Sequence, residues 1–356
     1  MRLSRRRALQ LLGAGLGAQG CVGSFGSAPP PPRAATLEGR LDAIAKRIVP
    51  GGPGPDGIPP IEFPNFVNRA SGDRIWKDET AVDALVGPDG IPRAYPRLIT
   101  VWHEIVNEDI GGTKLTLTYC PLTGSSVVFA GRLADGRETT FGTSGQLYNS
   151  NLVMYDRDSA SWWPQLLGIA VEGDRKGERL VELPIGITTT YGRWKKRHPD
   201  TAVLLPAGAR PYGTWPYGDY DSNRSILFPV DARDERFHPK KVVVGVRLGD
   251  AALAIAKDEL IAKGVANVEL AREPLVALAD PDLNALRVFK RTVARGTLRF
   301  ARREAEIVDE QTGSRWDPEG LATAGELAGT RLGQLSAFDV QWFAWFAFYP
   351  DTAVVA

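Results

Sequence analysis

The chain has 356 residues, of which 43% are hydrophobic and 24% are charged, a composition typical of a packed globular protein. Its length fits one large domain or two ordinary ones, and its composition excludes disorder for most of the chain. The formal net charge is +1 and no long basic run lies in the body of the chain, so a nucleic-acid partner is unsupported.

The first segment, residues 1–20, has the features of a signal peptide. Four arginines stand at its beginning without an acidic residue, an apolar run follows at residues 9–16, and small residues lead to Cys21. This pattern resembles a bacterial twin-arginine signal that ends in a lipobox. It predicts export to the periplasmic side of the cell envelope and attachment to the membrane by lipid on Cys21. Because the lipobox match is loose, secretion without lipidation stays an alternative.

Residues 21–55 are predicted to form a lipidated tether and a short helix. The stretch 24–35 is rich in Pro, Ser and Gly, which is typical of a flexible linker. Apolar residues then recur at helical spacing at Leu37, Leu41, Ile44 and Ile48. The Gly- and Pro-rich stretch 50–60 ends this helix.

The most informative stretch of the chain body is 114–129, which contains the second of the two cysteines. Alternating apolar and polar residues predict a strand that ends at Cys120, a turn at Pro121 and Gly124, and a second strand from 125 to 129. If Cys21 carries lipid, Cys120 has no partner for an intramolecular disulfide. The thiol is therefore either buried or free to react.

Two short helices are predicted among the strands. One begins at Pro96, since Leu98, Val101, Trp102 and Ile105 follow at helical spacing. The other covers residues 257–263. The aromatic and turn-forming residues of the connection 204–239 indicate an ordered loop that packs across the body.

Two parts of the chain repeat each other, at roughly 80–203 and 240–354. The matching positions of the first part are Ser161, Trp163, Gly168, Ala170, Gly173, Gly177 and Leu180. Their counterparts in the second part are Ser314, Trp316, Gly320, Ala322, Gly325, Gly329 and Leu332. Such a repeat predicts one supersecondary unit used twice.

The predicted fold is therefore α+β and predominantly β, with two diverged copies of one β-rich unit packed in a single globular body. The predicted boundaries are 56–203 for the first copy with its entry segment, 204–239 for the connection, and 240–356 for a second, degenerate copy.

The differences between the copies suggest where a functional site lies. At an offset of 160 residues, Cys120 corresponds to Asp280 and His103 to Lys263. The first copy also contains about six additional residues between Phe141 and Asp156. Polar, glycine-bearing loops of this kind often carry function on a rigid scaffold.

These differences predict one pocket in the first copy. Its catalytic residues would be Cys120 and His103, because imidazole can accept the thiol proton and stabilise a thiolate. Tyr148, Asn149 and Asn151 would contact the ligand. The alternative for Cys120 is a small buried apolar side chain, and the alternative for His103 is a satisfied core or helix-surface residue.

A metal site receives less support from the sequence. Soft ligands such as Cys120 and Met154, together with histidines, suit copper, yet no ligand spacing matches a familiar site. A zinc cluster of cysteines is excluded by the cysteine count. Neither a cofactor nor a bound metal is specified by the sequence.

Four longer motifs bear a family resemblance. They are WHEIVN at 102–107, TYCPLTGS at 118–125, YNSNLVMYD at 148–156, and WFAW with FYPDT at 342–345 and 348–352. These motifs resemble a bacterial domain of unknown function, number 3179, over roughly 58–355. The resemblance implies no particular activity. The resemblance also implies that a second cysteine often stands at the position of Thr123, and this chain departs from that dithiol motif.

Two function classes follow from these observations. The first is an exported envelope lipoprotein with a cysteine-centred site, for thiol chemistry or for metal or redox chemistry. The alternative is a noncatalytic lipoprotein that binds a ligand or acts as a scaffold. The state of the thiol discriminates between them, because an accessible thiol of low pKa favours an enzyme and a buried, inert thiol favours a binding protein.

Overall fold

A computed structural model describes residues 36–355 of the chain. Residues 1–35 lie outside the described residues, and with them the predicted signal peptide at 1–20, the predicted lipidation of Cys21 and the predicted linker at 24–35. The predictions for them stay predictions.

The first part of the structure contains four helices and twelve strands. In chain order these are α1 Leu37–Ala45, β1 Val49–Pro50, β2 Phe66–Asn68, α2 Arg69–Gly72, β3 Ala81–Val86, β4 Pro92–Pro96, α3 Arg97–Thr100, β5 Ile105–Ile110, β6 Thr113–Cys120, β7 Ser125–Ala130, β8 Phe141–Tyr148, β9 Asn151–Asp156, β10 Trp162–Pro164, β11 Gly186–Thr190, α4 Tyr191–Arg197 and β12 Ala202–Leu204.

The second part follows a connection in which the structure describes neither helix nor strand. Its elements are β13 Val242–Leu248, β14 Ala251–Ala256, α5 Lys257–Lys263, β15 Val265–Leu270, β16 Glu273–Asp280, β17 Ala285–Lys290, β18 Thr292–Val293, β19 Gly296–Thr297, β20 Phe300–Arg303, β21 Glu306–Asp309, β22 Arg315–Trp316, β23 Ala322–Ala324, β24 Gly333–Leu335, β25 Ala337–Gln341, α6 Trp342–Phe348 and β26 Ala353–Val355.

The protein is β-rich with short helices, which confirms the predicted α+β, predominantly β class. The strand pair around 114–129 and the helix at 257–263 form as predicted. The helix after Pro96 is shorter than its apolar spacing indicated, because the chain enters β5 at Ile105. Likewise α1 ends at Ala45, and the chain then extends to pair Val49 with Leu147 in β8.

The sheets of the two parts have related strand orders. One sheet of the first part has the order β11-β3-β4-β12-β2, and one of the second has the order β25-β13-β14-β26. In each, a central hairpin is antiparallel and a short strand that follows a seven-residue helix returns parallel to it. The meander β5-β6-β7 likewise resembles β15-β16-β17. These sheets therefore share the order and the direction of their central strands.

Matching tryptophans have matching hydrogen-bond partners. The indole N–H of Trp163 donates to Asp156 at 2.9 Å, and that of Trp316 donates to Asp309 at 3.0 Å. A second pair behaves in the same way, since Trp194 and Trp345 each donate at 2.9 Å to a threonine hydroxyl seven residues later. All four tryptophans are buried. They satisfy their one polar atom locally, which lets a large apolar ring fill the core.

The connection at 204–239 packs on the body, as its aromatic residues predicted. Tyr212 and Tyr220 are buried, and the Tyr220 hydroxyl donates to the carbonyl oxygen of Leu122 at 3.2 Å. The Ser150 hydroxyl donates to the Phe228 carbonyl at 2.9 Å. This segment, residues 204–239, is called the strap below.

Candidate functional site

Cys120 lies at the end of β6, where it pairs with Ser125 across the tight turn to β7. Its side chain is 2% exposed, and its sulfur lies 3.8 Å from the carbonyl oxygen of Ser150. Burial, with a smaller contribution from the Glu104 carboxylate, raises the pKa of the Cys120 thiol to about 11. The thiol is therefore protonated at neutral pH and shielded from solvent.

The six additional residues of the first part lengthen a hairpin. The register pairs Phe141 with Asp156 at the base of the β8–β9 hairpin, where the second part pairs Phe300 with Asp309. The sequence indicated a polar loop here, but most of the additional residues extend the two strands. The turn at the tip uses left-handed backbone at Asn149 and Ser150, with φ of 50° and 62°. Asparagine tolerates this conformation better than most residues.

The predicted ligand contacts lie at this hairpin tip, and the structure uses their polar atoms internally. The Tyr148 hydroxyl donates to Asp231 at 2.7 Å. The Asn149 amide donates to the Ala347 carbonyl at 3.1 Å and accepts from the Asp231 backbone N–H at 2.7 Å. These bonds fasten the tip to the strap and to α6.

Asn151 is completely buried in a polar network beside the Cys120 turn. Its amide N–H donates to Gln165 at 2.8 Å and to Thr123 at 3.0 Å, and its oxygen accepts from the Leu166 N–H at 3.0 Å. Thr123 lies in the same turn as Cys120, between β6 and β7. The structure thus brings Cys120 and the tip together, while a ligand role for Tyr148, Asn149 and Asn151 stays a prediction.

His103 is 3% exposed, and both of its ring nitrogens have partners other than the thiol. Nδ1 lies 2.7 Å from the Pro59 carbonyl oxygen, and Nε2 lies 2.7 Å from the Tyr212 hydroxyl. Because a carbonyl oxygen only accepts, Nδ1 carries a proton. The ring thus joins the entry segment to the strap, and its pairing with Cys120 stays a prediction.

A buried lysine, which sequence reasoning missed, lies on the strap side of the Cys120 turn. Lys240 is 5% exposed, and its ammonium nitrogen lies 3.0 Å from the centroid of the Tyr220 ring. Among the described residues this nitrogen has no hydrogen-bond partner. Burial lowers the pKa of the Lys240 amine to about 7, which the nearby Asp221 carboxylate partly opposes. The sequence gives no sign that Lys240 is buried, because a lysine that follows a proline in a loop is usually exposed.

An open cleft of about 550 Å³ lies beside α4, where the first part meets the turn between β16 and β17. Its lining residues are mostly polar or charged. They are Asp78, Thr190, Gly192, Arg193, Lys196, Arg197 and Asp282. Sequence reasoning did not single out this site, although the basic run at 193–197 is visible in the sequence.

The cleft lies close to Asp280, the counterpart of Cys120. Arg197, which lines the cleft, lies 3.4 Å from the Asp280 carboxylate. Because Asp280 and Lys263 replace the thiol and the imidazole, the sequence predicts a degenerate site at these two residues. The open cleft nevertheless borders the Asp280 turn, whereas the Cys120 turn is covered by the strap.

Two features are absent from the described residues. Within residues 36–355, no group of three or more His, Cys, Asp or Glu side chains is arranged to hold a metal ion. No helix in the same range is long and apolar enough to span a bilayer.

The similarity of this chain to known proteins is at the level of a protein family. No curated protein and no solved structure matches it significantly. Residues 55–352 match the family described as "Protein of unknown function (DUF3179)". Because the match covers most of the chain and includes the Cys120 turn, the β8–β9 hairpin and α6, this protein belongs to the DUF3179 family.

Proposed function

We propose that this protein is an exported lipoprotein of the cell envelope that binds a ligand without catalysing a reaction on it. The observation that carries the proposal is the state of Cys120, which is 2% exposed and whose pKa is raised to about 11. Of the two function classes left open by the sequence, a buried and protonated thiol favours the binding protein.

Thiol chemistry needs a thiolate that a substrate can reach. With a pKa of about 11, roughly one Cys120 thiol in 10⁴ is ionised at pH 7. The hydrogen bonds that the structure gives to the His103 ring are directed to Pro59 and Tyr212. Polar atoms around the turn are also engaged, as in the bonds of Asn151 to Thr123 and Gln165.

Cys120 is expected to resist alkylation in the folded protein. Incubation with iodoacetamide at pH 8, followed by mass spectrometry of the peptide that contains Cys120, should show modification at least ~100-fold slower than in urea, because burial and the raised pKa both oppose reaction. The urea-denatured protein is the matched control. Equal rates in the two states would favour the cysteine-centred enzyme.

The export part of the proposal is supported by the leader sequence, which lies outside the described residues. Replacing Arg5 and Arg6 with Lys is expected to abolish export, since twin-arginine signals depend on this pair. Cys21→Ala is expected to release soluble protein from the membrane. Immunoblots of periplasmic, membrane and cytoplasmic fractions measure both effects. Unchanged export of the double-lysine variant would contradict the twin-arginine assignment.

The proposed architecture is a duplication, with diverged copies at 56–203 and 240–356 joined by the strap. Three observations support it: the matching strand orders, the parallel return strands, and the matching tryptophan hydrogen bonds. A pair of asparagines supports it as well. The Asn107 side chain hydrogen-bonds the backbone N–H and carbonyl of Phe141, and the Asn267 side chain makes the same two bonds to Phe300. Two similar halves can enclose a ligand site where they meet.

A further inference from the structure

We propose that the cleft beside α4 is the binding site, and that it holds a small molecule by an anionic group, either a carboxylate or a phosphate. This inference rests on the ligand-binding function proposed above and adds the place and the chemistry of binding. The cleft has a volume of about 550 Å³, which lies within the range usual for small-molecule sites, roughly 300–1,000 Å³.

Ion pairs within the described chain neutralise the acidic residues of the cleft but leave two of its basic residues without a counter-ion. Its acidic residues are engaged, because Asp78 pairs with Lys195 at 2.7 Å and Asp282 contacts Arg197 at 3.7 Å. By contrast, Arg193 and Lys196 have no carboxylate partner within the described chain. The two charges left without a counter-ion are therefore both positive.

Arg193 and Lys196 stand three residues apart in α4, so their side chains project from the same side of the helix. The Arg193 guanidinium is fixed by one nitrogen, which donates at 2.8 Å to each of the carbonyl oxygens of Pro281 and Asp282. Its other N–H groups have no recorded partner in residues 36–355. A guanidinium held in this way matches the planar geometry of a carboxylate or phosphate.

The ion cluster next to the cleft is loosely bonded, because two of its charged atoms lie at ion-pair distance without forming a hydrogen bond. Asp280 is 1% exposed and Arg287 is 9% exposed, yet one oxygen of the first and one nitrogen of the second make no hydrogen bond within the described chain. These two atoms lie 3.5 Å apart, and Arg197 reaches Asp280 and Glu319 at 3.4 and 3.5 Å. Buried polar atoms of this kind normally have partners.

The corresponding surface in the other part of the protein is covered. There the turn between β6 and β7 is capped by the strap, through the bond from Tyr220 to the Leu122 carbonyl. The Asp221 carboxylate also accepts from Gln341 at 3.2 Å. The strap thus covers the turn between β6 and β7, while the cleft beside α4 is left open for a ligand.

The test is a titration of the full-length protein with citrate and, separately, with pyrophosphate, by isothermal calorimetry at low salt. Lys196→Glu is expected to weaken binding of the preferred probe at least ~10-fold, because it replaces an attractive charge with a repulsive one. Within residues 36–355 the Lys196 ammonium forms no ion pair, so this variant should unfold at the wild-type temperature. The preference between the probes distinguishes a carboxylate ligand from a phosphate ligand.

The matched control is Lys263→Glu, which makes the same change in net charge. Lys263 is an exposed lysine near the end of a seven-residue helix, as Lys196 is, but it does not line the cleft. We expect the control to bind within ~2-fold of the wild type. Equal weakening by both variants, or no binding of either probe by the wild type, overturns the inference.

A separate measurement distinguishes this inference from the proposed function. Small molecules released by denaturing protein purified from its own envelope can be identified by mass spectrometry. A neutral compound released from both the wild type and Lys196→Glu would sustain ligand binding but contradict an anionic site beside α4. An anionic compound released from the wild type and lost from Lys196→Glu would support both.

Discussion

Trp163→Ala and Trp316→Ala are each expected to lower the free energy of unfolding by about 3 to 5 kcal/mol. Trp163 is fully buried and Trp316 is 4% exposed, so truncation leaves a cavity in either core. Each substitution also removes an N–H donor from a completely buried carboxylate, Asp156 or Asp309. Loss of that donor adds to the cavity cost, because a buried charge without its hydrogen bonds is unfavourable.

Urea unfolding followed by circular dichroism measures both changes. The controls are Trp163→Phe and Trp316→Phe, which retain an aromatic ring but lose the donor, so that they separate the hydrogen bond from the cavity. Each is expected to cost less than its alanine variant. A loss below about 1 kcal/mol for either alanine variant would show that its ring does not support the core.

The tryptophan motifs were predictable because their interactions are local. Each indole bonds a side chain seven residues away, so the spacing of Trp163 and of Trp316 already contains the information that the core needs. The strand pair around Cys120 was predictable for the same reason, since alternation and a Pro-Gly turn are local signals. Local periodicity therefore gave the class of fold and several of its elements.

The environment of the thiol was not predictable, because it depends on contacts between distant segments. Cys120 is enclosed by the tip of the β8–β9 hairpin, and that tip is in turn fastened to Asp231 in the strap. Counting residues revealed the insertion but not its conformation. The deciding feature is the left-handed turn at Asn149 and Ser150, which lets the strands continue to the tip.

The cleft beside α4 depends even more on long-range packing. Asp78 and Asp282 are separated by about two hundred residues, yet both line it. The basic run at 193–197 is visible in the sequence, but the role of each of its residues is not. Within residues 36–355, Lys195 and Arg197 form ion pairs and Lys196 forms none. Only the folded geometry separates charges that hold the protein together from charges that are available to a ligand.

The folded geometry also predicts opposite effects on stability for two neighbouring lysines, Lys240 and Lys241. Lys240 is buried on the Tyr220 ring without a hydrogen-bond partner in the described chain, and burial lowers the pKa of its amine from 10.5 to about 7. Lys241 is partly exposed and bonds Asp258 and Glu259 at 2.7 and 2.9 Å. The pKa of Lys241 is raised by those two carboxylates, although burial opposes them.

Lys240→Met is expected to stabilise the protein at pH 6.5 by about 2 to 4 kcal/mol. This gain is smaller than the full change in the Lys240 pKa implies, because the Tyr220 ring attracts the cation. Between pH 7 and 10.5 the unfolded state binds one proton more than the folded state at this residue, so wild-type stability rises with pH. The gain from Lys240→Met should therefore be largest below pH 7 and shrink towards pH 10.5.

Lys241→Met is the matched control, since it removes the same charge one residue away. The ion pairs of Lys241 are partly exposed, and their loss at pH 6.5 should destabilise the protein by up to about 1 kcal/mol. Urea unfolding of the wild type and both variants at pH 6.5 and 9.5 measures these differences, in which contributions of other titrating groups cancel. If Lys240→Met destabilised the protein equally at both pH values, Lys240 would be a well-solvated or paired cation, and the strap would be held partly by its charge.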